Sequence, residues 1–102
     1  MVEDTFEWHG IRFESGVPEP KMLKTQPGIY LIFTKQKLLD IGEGGDVQAR
    51  VTSHDRKECW QRHAAGATIF YGAHYLPGVP EQTRMDLESK LRAMNDYPCG
   101  ER

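Results

Sequence analysis

The feature that most constrains this chain is a pair of short apolar segments separated by a polar turn. Residues 28–33 read GIYLIF, which is rich in β-branched and aromatic side chains and typical of a strand buried on both faces. Residues 34–37 are polar and few enough for a hairpin turn, and residues 38–42 read LLDIG. The sequence therefore predicts an antiparallel hairpin at the centre of the fold.

The segments that follow the hairpin alternate between helical and extended patterns. Asp46 is a good N-cap for a helix that starts at residue 47 and runs to about residue 54 or beyond. Residues 67–76 have the composition of a third strand, and apolar residues recur at helical spacing over 80–94. We expect an α/β (α+β) fold with a small three-stranded antiparallel central sheet flanked by helices.

Length and composition favour one soluble domain. A chain of 102 residues is too short for two independent cores. We expect residues 26–102 to form the domain and residues 1–25 to be an N-terminal extension that packs on it. The acidic start lacks the pattern of a secretory signal, and there is no long apolar run, so we expect a cytoplasmic protein without a membrane partner. In that reducing compartment Cys59 and Cys99 are expected to be free thiols.

The charge is distributed unevenly along the chain. The net charge is −2, which argues against sequence-indifferent adhesion to nucleic acid over the whole surface. Residues 21–63, however, carry eight basic and five acidic side chains. A nucleic-acid contact would involve this middle third, where the basic residues considered are Lys35, Lys37, Arg50, Arg56, Lys57 and Arg62. A scattered, solvated face would show the same count.

The order of motifs in the chain resembles the GIY-YIG endonuclease domain. Gly28-Ile29-Tyr30 is followed after nine residues by Asp40-Ile41-Gly42, with Arg50 eight positions beyond Gly42 and a carboxylate on the last helix. The resemblance covers residues 26 to about 101. It implies a metal-dependent endonuclease that hydrolyses phosphodiester bonds of DNA. Because the chain has no separate DNA-binding module, specificity is expected to come from DNA shape or a protein partner.

The resemblance assigns catalytic roles to four residues, and each also has a structural explanation. Tyr30 would orient or deprotonate the attacking water, or would simply fill the core. Arg50 would hold the scissile phosphate, or pair with an acid one turn earlier. His54 would act as base or phosphate ligand, or be a solvated bystander. Glu88 would bind Mg²⁺ or Mn²⁺, which accepts one carboxylate plus waters. Its alternative role is an ion-pair ladder with the arginines four residues before and after it. Glu81, one to two turns earlier, is a weaker candidate for the metal ligand.

Further residues are expected to contact the substrate along the two motif segments and the hairpin turn. They are Gly28, Asp40, Gly42, Lys35 and Lys37. Asp40 departs from the family, whose second tripeptide begins with tyrosine, and Glu101 stands where the family tends to have asparagine. An aspartate at that position would add a metal ligand or repel the phosphate. The second hypothesis is therefore a catalytically degenerate domain that binds nucleic acid or protein.

Two other patterns are not favoured as sites. The glycines at 44 and 45 precede a helix, but the segment lacks the lysine and hydroxyl residue of a P-loop and is more simply a turn. Cys59, His63, His74 and Cys99 include metal-ligating side chains, but their spacings match no zinc signature. A small structural or regulatory protein is the third hypothesis.

Overall fold

The computed structural model describes residues 5–100 as an α+β structure with one antiparallel sheet. Its strands are β1 (Thr5–Trp8), β2 (Ile11–Val17), β3 (Gly28–Phe33), β4 (Leu38–Gly44) and β5 (Phe70–Tyr75). Its helices are α1 (Val47–Thr52), α2 (Lys57–Ala64) and α3 (Glu81–Met94), and a short 3₁₀ turn spans Pro20–Met22. The antiparallel sheet and the flanking helices agree with the fold class expected from the sequence.

The number of strands differs from the prediction. Within residues 5–100 the sheet has five strands in the order β1-β2-β5-β3-β4, so the predicted three-stranded sheet is wrong. The two additional strands come from residues 5–17, which form a hairpin around His9 and Gly10, both with positive φ. Strand β2 then pairs with β5. This stretch, assigned to the N-terminal extension, contributes Phe13 to the core with no exposed surface.

The central hairpin places the motif residues on opposite faces of the sheet. Tyr30 lies directly across from Gly42 in the β3–β4 pairing. Since side chains alternate along a strand, Tyr30 and Ile32 join one core while Ile29 and Leu31 join the other. The first core is covered by α1 and α2, and the second is covered by α3. Strand β4 is an edge of the sheet, between these helical layers.

The helices agree with the prediction in part. Asp46 caps α1 by accepting a hydrogen bond from the backbone N–H of Ala49 at 3.0 Å. The helix ends at Thr52, so His54 lies just beyond it rather than on its surface. A further helix, α2, follows and buries Trp60 and Ala64. Helix α3 has nearly the expected bounds.

The expectation of free thiols is wrong. Cys59 on α2 and Cys99 near the end of the chain are joined by a disulfide. The two residues are 40 positions apart in sequence, but the fold brings their Cα atoms to 5.9 Å. Among residues 5–100, no helix combines the length and apolarity that crossing a bilayer requires.

Candidate nucleic-acid cleavage site

A cleft of about 420 Å³ opens at the β4 edge of the sheet, between the helices of the two layers. Three of the four residues assigned catalytic roles line it, namely Tyr30, Arg50 and Glu88. The fourth, His54, is buried behind Tyr30. The other residues that line the cleft are Gly42, Glu43, Arg56, Met85, Ser89 and Arg92.

Tyr30 and His54 form a hydrogen-bonded pair in the wall of the cleft. The Tyr30 hydroxyl is 2.6 Å from His54 Nε2, and both side chains are buried. Gly42 makes room for this arrangement, because a Cβ at that position would collide with the hydroxyl and ring of Tyr30. The glycine of the second tripeptide is thus explained by its neighbour across the hairpin.

The surroundings of His54 determine where its proton lies. The backbone N–H of Arg56 donates to His54 Nδ1 at 3.0 Å, so this nitrogen must present a lone pair. Asp55 Oδ1 is 3.2 Å from the same nitrogen, but the Asp55 side chain is highly exposed to screening water. Burial, followed by the charges of Arg50 and Arg56, lowers the pKa of His54 to about 4. We therefore assign a neutral ring whose Nε2–H donates to Tyr30.

Tyr30 stays protonated at neutral pH. Burial, and next the negative charge of Asp40, raises the pKa of its phenol well above the ordinary value of 10, although the neighbouring arginines oppose this effect. Its oxygen accepts the hydrogen bond from His54, which leaves one lone pair and its own O–H for groups in the cleft. This geometry suits a residue that orients a ligand or water.

Asp40 lies at the base of the site and organises two arginines. Its carboxylate has no exposed surface and accepts hydrogen bonds from Arg56 Nε at 2.8 Å, Arg92 Nη2 at 3.1 Å and Trp60 Nε1 at 2.8 Å. The backbone N–H of Ile41 donates to it as well. A carboxylate so fully occupied has little capacity left for a metal ion or a substrate. It holds the guanidinium groups that reach the cleft.

Arg92 connects Asp40 to the opposite wall of the cleft. Its Nε donates to Glu88 Oε2 at 2.8 Å, and its Nη2 also donates to the backbone carbonyl of Ile41. Burial alone would lower the pKa of Arg92, but the hydrogen bonds to Glu88 and Asp40 raise it. Arg92 therefore remains a cation. The ion pair between Glu88 and Arg92, which the four-residue spacing in the sequence suggested, is thus present in the structure.

The other predicted ion pairs of the cleft differ from the sequence pattern. Arg84 pairs with Glu43 at 2.9 Å rather than with Glu88. Arg50 is exposed, and no carboxylate among residues 5–100 forms a salt bridge with it. Its guanidinium is thus available to an anion in the cleft.

The remaining predicted substrate contacts are not brought together. Gly42 lines the cleft, whereas Gly28 is packed against the backbone of His74 and Tyr75 inside the sheet. Lys35 and Lys37 are exposed on the hairpin turn and line separate depressions. Glu101 lies outside the described residues.

The sequence indicates Arg56 for a general nucleic-acid contact and Arg92 for an ion pair with Glu88, but it gives neither residue a place beside Asp40 in the site. The sequence does contain one signal for such partners, namely Asp40 within an apolar strand. A lone aspartate in an apolar strand, if buried, requires cationic or hydrogen-bonding partners, because an isolated buried charge is very costly. The sequence does not say which of its arginines would supply them, since Arg92 is 52 residues away from Asp40.

The cleft can also be tested for its fit to a divalent cation. Glu88 is a hard oxygen donor in the cleft wall, and one of its oxygens is shared with Arg92. A single carboxylate completed by waters and substrate phosphate is an ordinary Mg²⁺ site, so the residues fit the ion in this form. Within residues 5–100, no three carboxylate or histidine side chains converge in the cleft to form a dedicated cage.

The cleft thus combines a phenol, backed by a buried imidazole, with three guanidinium groups and the two carboxylates of Glu43 and Glu88. These are groups that bind and orient a phosphate ester. In comparisons with known proteins, no family model, curated protein or solved structure matches this chain.

Proposed function

We propose that this cleft hydrolyses phosphodiester bonds of DNA, with Mg²⁺ or Mn²⁺ held at Glu88. The observation that carries the proposal is the Tyr30 hydroxyl, hydrogen-bonded to His54 at 2.6 Å and facing a cleft that Arg50, Arg56, Glu88 and Arg92 also line. The order of motifs that resembles the GIY-YIG domain supports it. The reaction belongs to the class in which positioning and charge stabilisation dominate.

Arg50 is the group that binds the scissile phosphate. Its guanidinium is exposed at the cleft and can donate two parallel hydrogen bonds to phosphate oxygens. Arg56 and Arg92, held by Asp40, add positive charge to the lining of the cleft. Together these residues stabilise the additional negative charge that develops on the phosphate as water attacks.

Tyr30 positions the attacking water. Its raised pKa makes the phenolate scarce at neutral pH, so the neutral hydroxyl is the working form. The oxygen accepts from His54 Nε2 and from the water, while the O–H donates to a non-bridging phosphate oxygen. His54 fixes this orientation from behind because the backbone of Arg56 holds its tautomer. Glu88 would hold the divalent ion, which would supply neutralisation of the negative charge on the phosphate ester.

The experiment is cleavage of end-labelled branched, nicked and linear DNA by the purified protein, with Mg²⁺ or Mn²⁺ and in chelator. We expect metal-dependent cleavage of at least one substrate. Glu88→Gln should abolish it, whereas Glu81→Gln, an exposed carboxylate at the start of the same helix, should not. Cleavage that persists in chelator, or equally in both variants, would refute the role of Glu88.

The second candidate is a domain that binds a phosphate-containing partner without cutting it. It is favoured by one observation, namely that Glu88 is already paired with Arg92 and Asp40 with both Arg56 and Arg92, so these two arginines have counter-charges without a metal ion. In this case DNA binding would be equal in chelator and in Mg²⁺, and no substrate would be cleaved.

A further inference from the structure

Two cysteines and a histidine meet on the side of α2 that faces the end of the chain. Cys59 and His63 are four residues apart on α2, so their side chains lie on the same face one turn apart. Cys99 approaches from the C-terminal segment, where its backbone N–H donates to the carbonyl of Leu39 at 3.0 Å. One donor atom from each of the three residues lies within 4.8 Å of the others. Within residues 5–100 this is the one such group of potential metal ligands.

We propose that, when the disulfide is reduced, Cys59, His63 and Cys99 bind one Zn²⁺ ion. Two thiolates and one imidazole are ligands that zinc prefers, and a water or another donor completes the tetrahedron. At Zn–S distances of about 2.3 Å, two thiolates around one ion are about 3.8 Å apart. The cysteine Cα atoms, 5.9 Å apart, allow this separation after rotation of the side chains.

The reduction and the binding are separate, balanced steps. A dithiol reductant transfers two electrons and two protons to the Cys59–Cys99 bond, which yields two thiols and a reductant disulfide. Zinc then displaces a proton from each thiol and binds the neutral imidazole of His63. Oxidation of the thiolates by a disulfide reverses the sequence and releases the ion. The disulfide and the zinc site therefore exclude each other.

The disulfide and the zinc ion would both cross-link the C-terminal segment to α2. The C-terminal segment is linked to α2 by the disulfide in one state and by the ion in the other. Each cysteine lies one step from Asp40. Cys59 is next in sequence to Trp60, whose indole N–H donates to the Asp40 carboxylate. The backbone N–H of Cys99 donates to the carbonyl of Leu39, the residue before Asp40. Only the reduced, metal-free protein lacks a cross-link next to the carboxylate that organises the arginines.

The test is a titration of the reduced protein with Zn²⁺ against a chromophoric chelator, and with Cd²⁺ while the thiolate-to-metal charge-transfer band is recorded. For the reduced protein we expect one Zn²⁺ ion per chain, a thiolate charge-transfer band with Cd²⁺, and a higher melting temperature with Zn²⁺ than without it. The oxidised protein should show none of these effects. His63→Gln should bind zinc more than tenfold more weakly.

A matched control separates ligation from general effects of losing an imidazole. His74 is not part of the cluster, so His74→Gln should bind zinc as the wild type does. Circular dichroism of each variant establishes that it is folded. The proposal is overturned if the reduced wild type gives no charge-transfer band, if the folded His63→Gln binds zinc equally, or if the oxidised protein binds it as well. None of these readouts depends on DNA cleavage.

Discussion

Acidification should destabilise this protein through His54. Burial, followed by the charges of Arg50 and Arg56, lowers the pKa of His54 from 6.5 to about 4. A proton on Nδ1 would in addition displace the hydrogen bond from the backbone N–H of Arg56. The unfolded chain, in which the ring is solvated, takes up the proton near the ordinary pKa. Between these two values the unfolded state binds more protons than the folded state, so stability falls as the pH falls.

The size of the effect follows from the two pKa values. Above pH 6.5 the ring is neutral in both states and stability is fully retained. At about pH 5 the loss is about 2 kcal/mol, and below the folded pKa it reaches about 3 kcal/mol. For a domain of this size, a loss of about 2 kcal/mol lowers the melting temperature by about 8–16 °C.

The assay is urea denaturation of the oxidised protein at about pH 7.5 and about pH 5, followed by circular dichroism. His54→Gln keeps a donor for Tyr30 but does not titrate. The variant should be less stable at the higher pH, and its loss on acidification should be smaller than that of the wild type by about 2 kcal/mol. Equal losses in the two proteins would refute the buried, neutral imidazole.

Three further predictions concern the residues around the cleft and the hairpin. Asp40→Asn leaves two arginines without their buried counter-charge and should lower the free energy of unfolding by about 3 kcal/mol in urea denaturation; a change below about 1 kcal/mol would contradict the network. Gly42→Ala introduces a methyl group against the phenol opposite and should cost about 1–3 kcal/mol. At Gly45 an added Cβ would meet only Arg84 Nη2 at 3.8 Å, an ordinary van der Waals distance, so Gly45→Ala is the control, and equal melting curves for the two variants would contradict the packing. Replacing Lys35 and Lys37 together by alanine should weaken DNA binding at low salt and not at high salt; unchanged affinity at every salt concentration would exclude the turn from the binding surface.

The hairpin and the last helix could be predicted because their signals are local. The segment GIYLIF is apolar on both faces, and the observed alternation of Tyr30 with Ile29 and Leu31 follows from strand geometry alone. The capping of α1 by Asp46 also depends only on neighbours in sequence. Each of these predictions needed no knowledge of distant partners.

The elements that were missed depend on distant partners or on few buried residues. Strand β2 is held by β5, more than 50 residues later, so its place in the sheet has no local signature. Helix α2 buries only Trp60 and Ala64 in an otherwise polar segment, which gives a weak apolar pattern. The contact between Cys59 and Cys99 likewise exists only after α2 and the C-terminal segment have packed together.

The candidate site likewise contains residues that could be identified from motifs in the sequence and residues whose roles depend on distant partners. Tyr30, Arg50 and Glu88 line one cleft, and their catalytic roles there stay predictions. Asp40, in contrast, was considered as a metal ligand or a group that repels phosphate. Its position as a buried acceptor for Arg56, Arg92 and Trp60 depends on three elements that converge only in the folded protein.

The central claim is that the cleft at the β4 edge cleaves DNA by stabilising charge on a phosphate. The most direct test is the single-turnover rate of cleavage by Arg50→Ala compared with Arg62→Ala, which removes the same charge from an exposed position outside the cleft. We predict a fall of about 10²–10³-fold for Arg50→Ala and a rate close to that of the wild type for Arg62→Ala. Equal rates in the two variants, with DNA cleaved by both, would place the chemistry elsewhere and contradict the account.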